Sequence, residues 1–286
     1  MQTPEPPLTT AISPCPNDTF VFYHFLNDPQ NKEKYQPVFL DIEELNLGMI
    51  NKKWDIVKAS FPMGAVLEES YELLPSGSAL GYGVGPVAVY RDEDIFQKDR
   101  WIIGLPGEHT TAHFLWNYYF KTMKDKIPQN IEKKYLYFGA IMEKTASGDL
   151  DMGIIIHEGR FVFKNLKLKM YRDLGEFWEK QTGLPAPLGG IFIRKDLPES
   201  KKKMAASDLK KSVSDAMQQK SENSEIYQQR ILPYIKKYSQ ELPDDVVEKH
   251  IEYYVNADTV ELSPRAREAI NLMFSIHKGM EKNGLK

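Results

Sequence analysis

The residues of this chain best placed to do chemistry lie in the stretch Asp151-Met-Gly-Ile-Ile-Ile-His157-Glu-Gly-Arg160. Its apolar, β-branched run reads as a buried strand, and just past the strand come a histidine, an acid, a glycine and an arginine. In open α/β sheets ligands sit beyond the carboxyl ends of strands, which is where a reactive imidazole belongs. Near neutral pH an imidazole can take up a proton as a general base. A histidine that finishes a strand and gives its ring to a backbone carbonyl accounts for the same residue taken alone. Glu158 and Arg160 are open in the same way: catalytic partners, or a turn and an ion pair.

Small hydroxyl residues gather at other strand ends. In Ser13-Pro-Cys-Pro-Asn17-Asp-Thr19 the prolines stop a strand over Leu8 to Ser13, and Asn17 or Asp18 can cap the aromatic helix that follows. The hydroxyls of Ser13 and Thr19 then stand beside helix N–H groups, which suits an anion. Lys58-Ala59-Ser60 ends a strand that starts at Asp55, and Thr110-Thr111 opens a helix running through Phe120, a second cradle of the same kind. His109 and His113 have i, i+4 spacing, but no acid or cysteine stands at a recognisable metal-motif distance. Two surface histidines spaced by chance explain them, and no metal is expected.

The elements that must position these groups follow from the same reading. Strands are expected over Val38 to Ile42, Val87 to Tyr90, Trp101 to Gly107, Lys134 to Phe138, Lys169 to Leu174 and Ile191 to Ile193. Helices are expected over Asn46 to Lys53, Met63 to Ser70, Ile141 to Ser147 and Glu176 to Thr182. Strands alternating with helices across short connections make a parallel sheet. Two glycine- and proline-rich breaks, Gly77 to Pro86 and Gly183 to Gly190, enclose an α/β insert. The expected division is residues 1–86 with 190–286 as a larger, discontinuous lobe with C-terminal helices, and 87–189 as an inserted smaller lobe. From Lys201 onward the pattern is helical, punctuated by Pro233, Pro243 and Pro264.

Composition removes other classes of function. A length of 286 residues with 42% hydrophobic content supports a sizeable core, and a formal net charge of -3 argues against a polyanion-binding protein. No nucleic-acid partner is expected. One cysteine, Cys15, excludes an internal disulfide and a cysteine-based zinc site. No apolar run reaches the ~20 residues that span a bilayer, and the first ten residues lack the features of a signal peptide. The expectation is a cytoplasmic protein without membrane contact. No G-x-x-x-x-G-K-[ST] occurs, and the glycines of Gly77 to Pro86 precede a strand, not the helix a dinucleotide site needs. No flavin or nicotinamide signature is present, and no cofactor is expected.

In combination these stretches resemble a known family. Ser13-Pro-Cys-Pro-Asn-Asp-Thr-Phe20, Lys58-Ala-Ser60, Thr110-Thr111-Ala112, Ile156-His-Glu-Gly-Arg-Phe161 and Leu184-Pro-Ala-Pro-Leu-Gly-Gly190 look like the 1,4-dihydroxy-6-naphthoate synthases of the futalosine route to menaquinone. The resemblance spans at least residues 9 to 193. It implies a two-lobed α/β fold of the type II periplasmic-binding-protein kind, with mixed sheets flanked by helices, a cleft between lobes and a helical C-terminal region. It also implies a carbon-carbon lyase acting on cyclic dehypoxanthinyl futalosine, with a small-molecule carboxylate as substrate. His157 lies where the family has its proposed base. Lys58, Ala59, Ser60, Thr110 and Thr111 match its substrate-contacting segments, and Ser13 and Asn17 join them from the residue reading. The alternatives are a non-catalytic solute-binding protein of the same fold and the sister enzyme chorismate dehydratase. A ligand-sensing regulator lacks its recognition helix. Oligomeric state cannot be read from the sequence.

Overall fold

Short β-branched runs alternate with helix-starting residues along the first eighty residues, and they fold as a parallel β-α-β core. The computed structural model describes residues 6–123, 127–128, 130–239 and 242–282. Its backbone separates into two compact units, Met1–Leu80 with Gly189–Pro264, and Gly81–Leu188 with Arg265–Lys286.

In the first unit, β1 (Leu8–Ile12), α1 (Pro16–Val21), α2 (Tyr23–Asn27), β2 (Tyr35–Phe39), α3 (Ile42–Ile50), β3 (Ile56–Ser60), α4 (Phe61–Val66), β4 (Tyr71–Leu73) and β5 (Ala79–Gly81) follow one another. β1 pairs in parallel with both β2 and β3, so the carboxyl ends of β1 and β3 lie side by side. α1 and α2 are separate because the chain bends at Phe22. Ser212 holds the bend, donating to the Val21 carbonyl (2.6 Å) and accepting from the Phe25 N–H (2.9 Å). α3 begins four residues earlier than the periodicity suggests. The cause is a capping box that the apolar pattern hides: Asp41 accepts from the N–H groups of Glu43 and Glu44, and Glu44 returns a bond to the Asp41 N–H.

The second unit carries β6 (Val87–Tyr90), β7 (Arg100–Leu105), α5 (Thr111–Thr122), β8 (Asn130–Tyr135), α6 (Phe138–Ser147), β9 (Met152–Ile155), α7 (Gly159–Val162), β10 (Lys169–Asp173) and α8 (Leu174–Thr182). Its sheet has the order β10-β6-β9-β7-β8. β9, β7 and β8 run parallel, while β6 and β10 run antiparallel to their neighbours. β8 ends three residues before the expected Phe138, which instead opens α6.

The return strand β11 (Ala186–Arg194) contains the expected strand Ile191 to Ile193 and starts five residues earlier, inside the segment expected to break structure. It runs antiparallel to β3 and β4 from Gly189 to Arg194, beyond Pro187, so the proline removes none of these ladder bonds. The remaining helices are α9 (Glu199–Ser221), α10 (Leu232–Tyr238), α11 (Asp244–Tyr254), α12 (Ala257–Val260) and α13 (Pro264–Lys282). Leu209, Val213 and Ile231 from this region close the first unit's core over Ile12, Phe20 and Ile56. α13 departs from the expected grouping of everything after residue 190: Arg265 donates to the Gly183 carbonyl (2.7 Å), and His277 packs edge-on against Phe114. It therefore belongs with the second unit. No described helix is long and apolar enough to cross a membrane.

Losing the α3 cap should cost about 1 kcal/mol. Asp41→Ala is expected to shift the urea midpoint to lower concentration by that amount, with an unchanged slope.

Candidate active site

In the first unit, the strand ends bring Ser13, Asn17, Lys58 and Ser60 to one edge of the sheet. Lys58 is buried, its side chain 5% exposed, and a buried ammonium needs a partner. Asp18 supplies it at 2.9 Å. The same carboxylate accepts from Ser13 Oγ (2.6 Å) and Asn17 Nδ2 (2.8 Å), and Lys58 also reaches the Gly77 carbonyl at 3.4 Å. Gly189 makes this possible, since a Cβ there would stand 2.9 Å from Lys58 Cε.

Neither Asn17 nor Asp18 is the N-cap expected from the sequence. Cys15 occupies the cap position, with Pro16 in the first turn, and no side chain caps the helix. Asp18 places a carboxylate of the protein at this turn, paired with Lys58. Thr19 turns its hydroxyl back to the Cys15 carbonyl (3.0 Å). The Ser13 hydroxyl gives its proton to Asp18 and its oxygen accepts from the Cys15 N–H (3.3 Å), so it holds the turn together. Ser60 is held at both its polar groups by Asn46, which accepts from the Ser60 N–H (3.0 Å) and donates to its Oγ (3.1 Å). Ala59, between Lys58 and Ser60 on a strand, points to the opposite face. A ligand on the Lys58 side meets Ala59 only through the main chain.

In the second unit the parallel trio β9, β7 and β8 delivers three groups at one edge. His157 follows β9, Thr110 and Thr111 follow β7, and Phe138 follows β8. Thr110 is the N-cap of α5: its Oγ1 accepts from the His113 N–H (3.2 Å) and donates to the Gly107 carbonyl (2.9 Å). Thr111 donates to the Leu188 carbonyl (2.6 Å). Both threonine protons are thus committed to the protein. A ligand anion here would be met by the Thr111 and Ala112 N–H groups of the first turn.

His157 has φ of 54°, a left-handed conformation uncommon for a side chain with a Cβ. Its ring stands edge-on to Phe138, with centroids 5.0 Å apart. Arg160 pairs with Asp173 (2.7 Å) and donates to the Gly85 carbonyl (2.8 Å), which gives it the ion-pair role left open by the sequence. Burial pushes the Asp173 carboxyl up from its ordinary range, against the opposing pull of Arg160 and of two backbone N–H groups.

His113 is buried, not a surface residue as its spacing with His109 suggests. Its Nδ1 faces the Glu108 carbonyl at 2.7 Å, so that nitrogen carries the proton. Its Nε2 then faces Asn117 (3.0 Å) and Lys133 (3.0 Å). Burial pushes the Lys133 ammonium down from its usual range. No cluster of three or more metal-ligating side chains occurs among the described residues.

Sequence reasoning missed Asp18, Asn46, Phe138 and Asp173. A lysine in the apolar run Ile56–Ser60 was a usable signal for Asp18, because such a lysine demands a carboxylate. Asn46 meets Ser60, and Asp173 meets Arg160, only through tertiary contacts within their own units.

The architecture places the chain among periplasmic-binding-protein-like folds. It overlays on the alkanesulfonate-binding protein of Xanthomonas axonopodis pv. citri with a TM-score of 0.68 at 14% identity, covering 99% of this chain and 95% of that one. A crystal structure of a protein from Archaeoglobus fulgidus matches with a TM-score of 0.83 at 26% identity over 98% of both chains. Within that class, the family model described as menaquinone biosynthesis matches residues 8–278, and the chain belongs to that family. Curated relatives named 1,4-dihydroxy-6-naphthoate synthase are 34% identical in Thermus thermophilus, over 94% of this chain and 93% of that protein, and 33% identical in Streptomyces coelicolor, over 92% and 90%.

Two outcomes test this geometry. Lys58→Met strands a buried carboxylate and should destabilise by about 3–5 kcal/mol. The double variant with Asp18→Asn should regain at least half of the loss, read by urea unfolding. At the left-handed His157, replacement by Gly should melt at or above wild type, while Val should cost about 1–2 kcal/mol.

Proposed function

We propose that this protein is a carbon-carbon lyase that converts cyclic dehypoxanthinyl futalosine to 1,4-dihydroxy-6-naphthoate, releasing a three-carbon fragment. The family membership and the names of its relatives support the overall reaction. The observation that carries the assignment of the base is His157, set in a left-handed turn at the carboxyl end of β9.

In this reading the His157 imidazole removes a proton from a substrate hydroxyl. The freed electron pair forms a carbonyl as the adjacent carbon–carbon bond breaks, in the manner of a retro-aldol reaction. The electrons of the broken bond pass into the ring system, which aromatises after proton transfer. No redox equivalent is consumed, and aromatisation drives the sequence. Substrate contacts are assigned to the strand-end residues of each unit: Thr110 and Thr111 beside the base in one, and Ser13, Asn17 and Lys58 to Ser60 in the other. Because Asp18 neutralises Lys58, main-chain N–H groups, not the ammonium, are the natural partners of the substrate carboxylate. The working compartment is the cytoplasm, as for a small-molecule biosynthetic step.

Purified protein incubated with cyclic dehypoxanthinyl futalosine, with nothing else added, should produce the dihydroxynaphthoate absorbance. His157→Asn should lower the rate by about 10²–10⁴ while keeping substrate affinity. A protein that binds the substrate and returns it unchanged is a solute-binding protein, and a wild-type rate in His157→Asn would refute the base assignment.

A further inference from the structure

Three residues beyond the proposed base, Arg160 makes contacts that a turn alone does not need. Its Nη1 donates both to Asp173 Oδ2 (2.7 Å) and to the Gly85 carbonyl (2.8 Å), with the Arg160 side chain 15% exposed and that of Asp173 5%. The other oxygen of Asp173, Oδ1, caps α8 by accepting from the N–H groups of Gly175 (2.9 Å) and Glu176 (3.0 Å). Both acceptors of Arg160 are therefore mounted on fixed backbone. Asp173 sits in register with Val87 where β10 pairs with β6, and the Leu174 N–H donates to the Pro86 carbonyl (2.9 Å). Gly85 and Gly175 press backbone on backbone so closely that a Cβ on Gly175 would stand 2.2 Å from the Val84 carbonyl oxygen.

β9 ends at Ile155, and the chain then enters the left-handed residue, inside a turn closed by the Gly159 N–H on the Ile156 carbonyl (3.2 Å), and the single turn of α7. A strained conformation persists only where its surroundings over-determine it. Phe138 stands at the ring, and Arg160 ties the turn to the fixed backbone. The Arg160 charge is neutralised by Asp173, which makes it a poor clamp for a substrate carboxylate and a good strut.

We propose that Arg160 and Asp173 are positioning residues for His157. The pair fixes the turn from which the imidazole projects, and so sets the reach of its basic nitrogen to the substrate hydroxyl. The proposal rests on the reading of His157 as the base, and its test is arranged to separate the two. A guanidinium can span two acceptors in one plane, whereas an ammonium on a shorter stem cannot hold the same geometry.

The experiment is steady-state kinetics with cyclic dehypoxanthinyl futalosine on Arg160→Gln, Arg160→Lys and Asp173→Asn, each also made in the His157→Asn background. Asn at position 173 keeps an oxygen for the α8 cap, so it carries the test if Arg160→Gln does not fold. Displacing a catalytic group by about 1 Å costs on the order of 10²-fold. Arg160→Gln and Asp173→Asn should accordingly lose about 10- to 100-fold in kcat with KM little changed, and Arg160→Lys should recover part of the loss. In the His157→Asn background, the same substitutions should leave the residual rate where it is. Wild-type kcat in a folded Asp173→Asn variant would overturn the proposal. So would a rise confined to KM, or an equal loss with and without His157. A wild-type rate in His157→Asn alone would instead sink the reading on which the pair depends.

Discussion

Parallel pairing is the constraint on which the site depends. A strand pair that runs in parallel must be joined by a crossover, and both members then release their chains at the same edge. β1 and β3 do so in the first unit, and β9, β7 and β8 in the second. Everything with chemical potential follows within a few residues of those ends: Ser13, Asn17 and Ser60 in one set, His157, Thr110 and Phe138 in the other. The antiparallel strands β6, β10 and β11 serve differently. They close the sheets and carry the fixed points, such as Asp173 and Gly189, against which the site residues lean.

Two buried ion pairs sharpen that division of labour. Lys58–Asp18 and Arg160–Asp173 each join a strand end to a neighbouring turn, and each carboxylate also accepts other protein donors. Burying a charge pair is weak evidence for net stability, because desolvation consumes most of the attraction. What such a pair does supply is geometry: a carboxylate with several fixed donors has one position, and so do its partners. The cost of desolvation is visible at Asp173, whose carboxyl remains pushed upward in spite of Arg160. A polar node of this kind occupies space that an apolar cluster could fill, and it returns definition of the backbone at the strand ends.

Much of this was legible in the residues, for physical reasons that differ from case to case. β3, β7 and β9 each carry a pair of β-branched residues, Ile56-Val57, Ile102-Ile103 and Ile154-Ile155, so the strand ends near Ser60 and His157 could be placed closely. Thr110 could be recognised as an N-cap because a hydroxyl followed by a helical pattern has few other uses. Among the boundaries that moved, which include those of β2 and α4, the ones at α3 and β8 lie where a capping box or an aromatic residue competes with the periodicity. The first half of β11 reads as a break because its prolines and glycines mimic a loop, and only Ile191 to Ile193 reads as a strand. Its partners, β3 and β4, lie more than a hundred residues earlier, and no local pattern reports them. Asn46 and Asp173 were hidden for the same reason.

The likeness to sulfonate-binding proteins extends over nearly the whole chain at 10–14% identity, which is agreement in fold and says nothing of chemistry. What a binding scaffold requires is a set of donors at strand ends. Main-chain N–H groups supply these without strain, as in the first turn of α5 after the Thr110 cap. A base requires more, because its basic atom must be aimed as well as present. His157 differs from the other strand-end residues in this respect, for it is the one among them whose backbone is left-handed. On the proposed reading, strain at one residue with an ion pair three residues away is a modification that leaves the sheet order and the caps untouched. A binding-protein fold would then acquire a directed imidazole through the turn after β9 alone, with the rest of the architecture kept for holding the ligand.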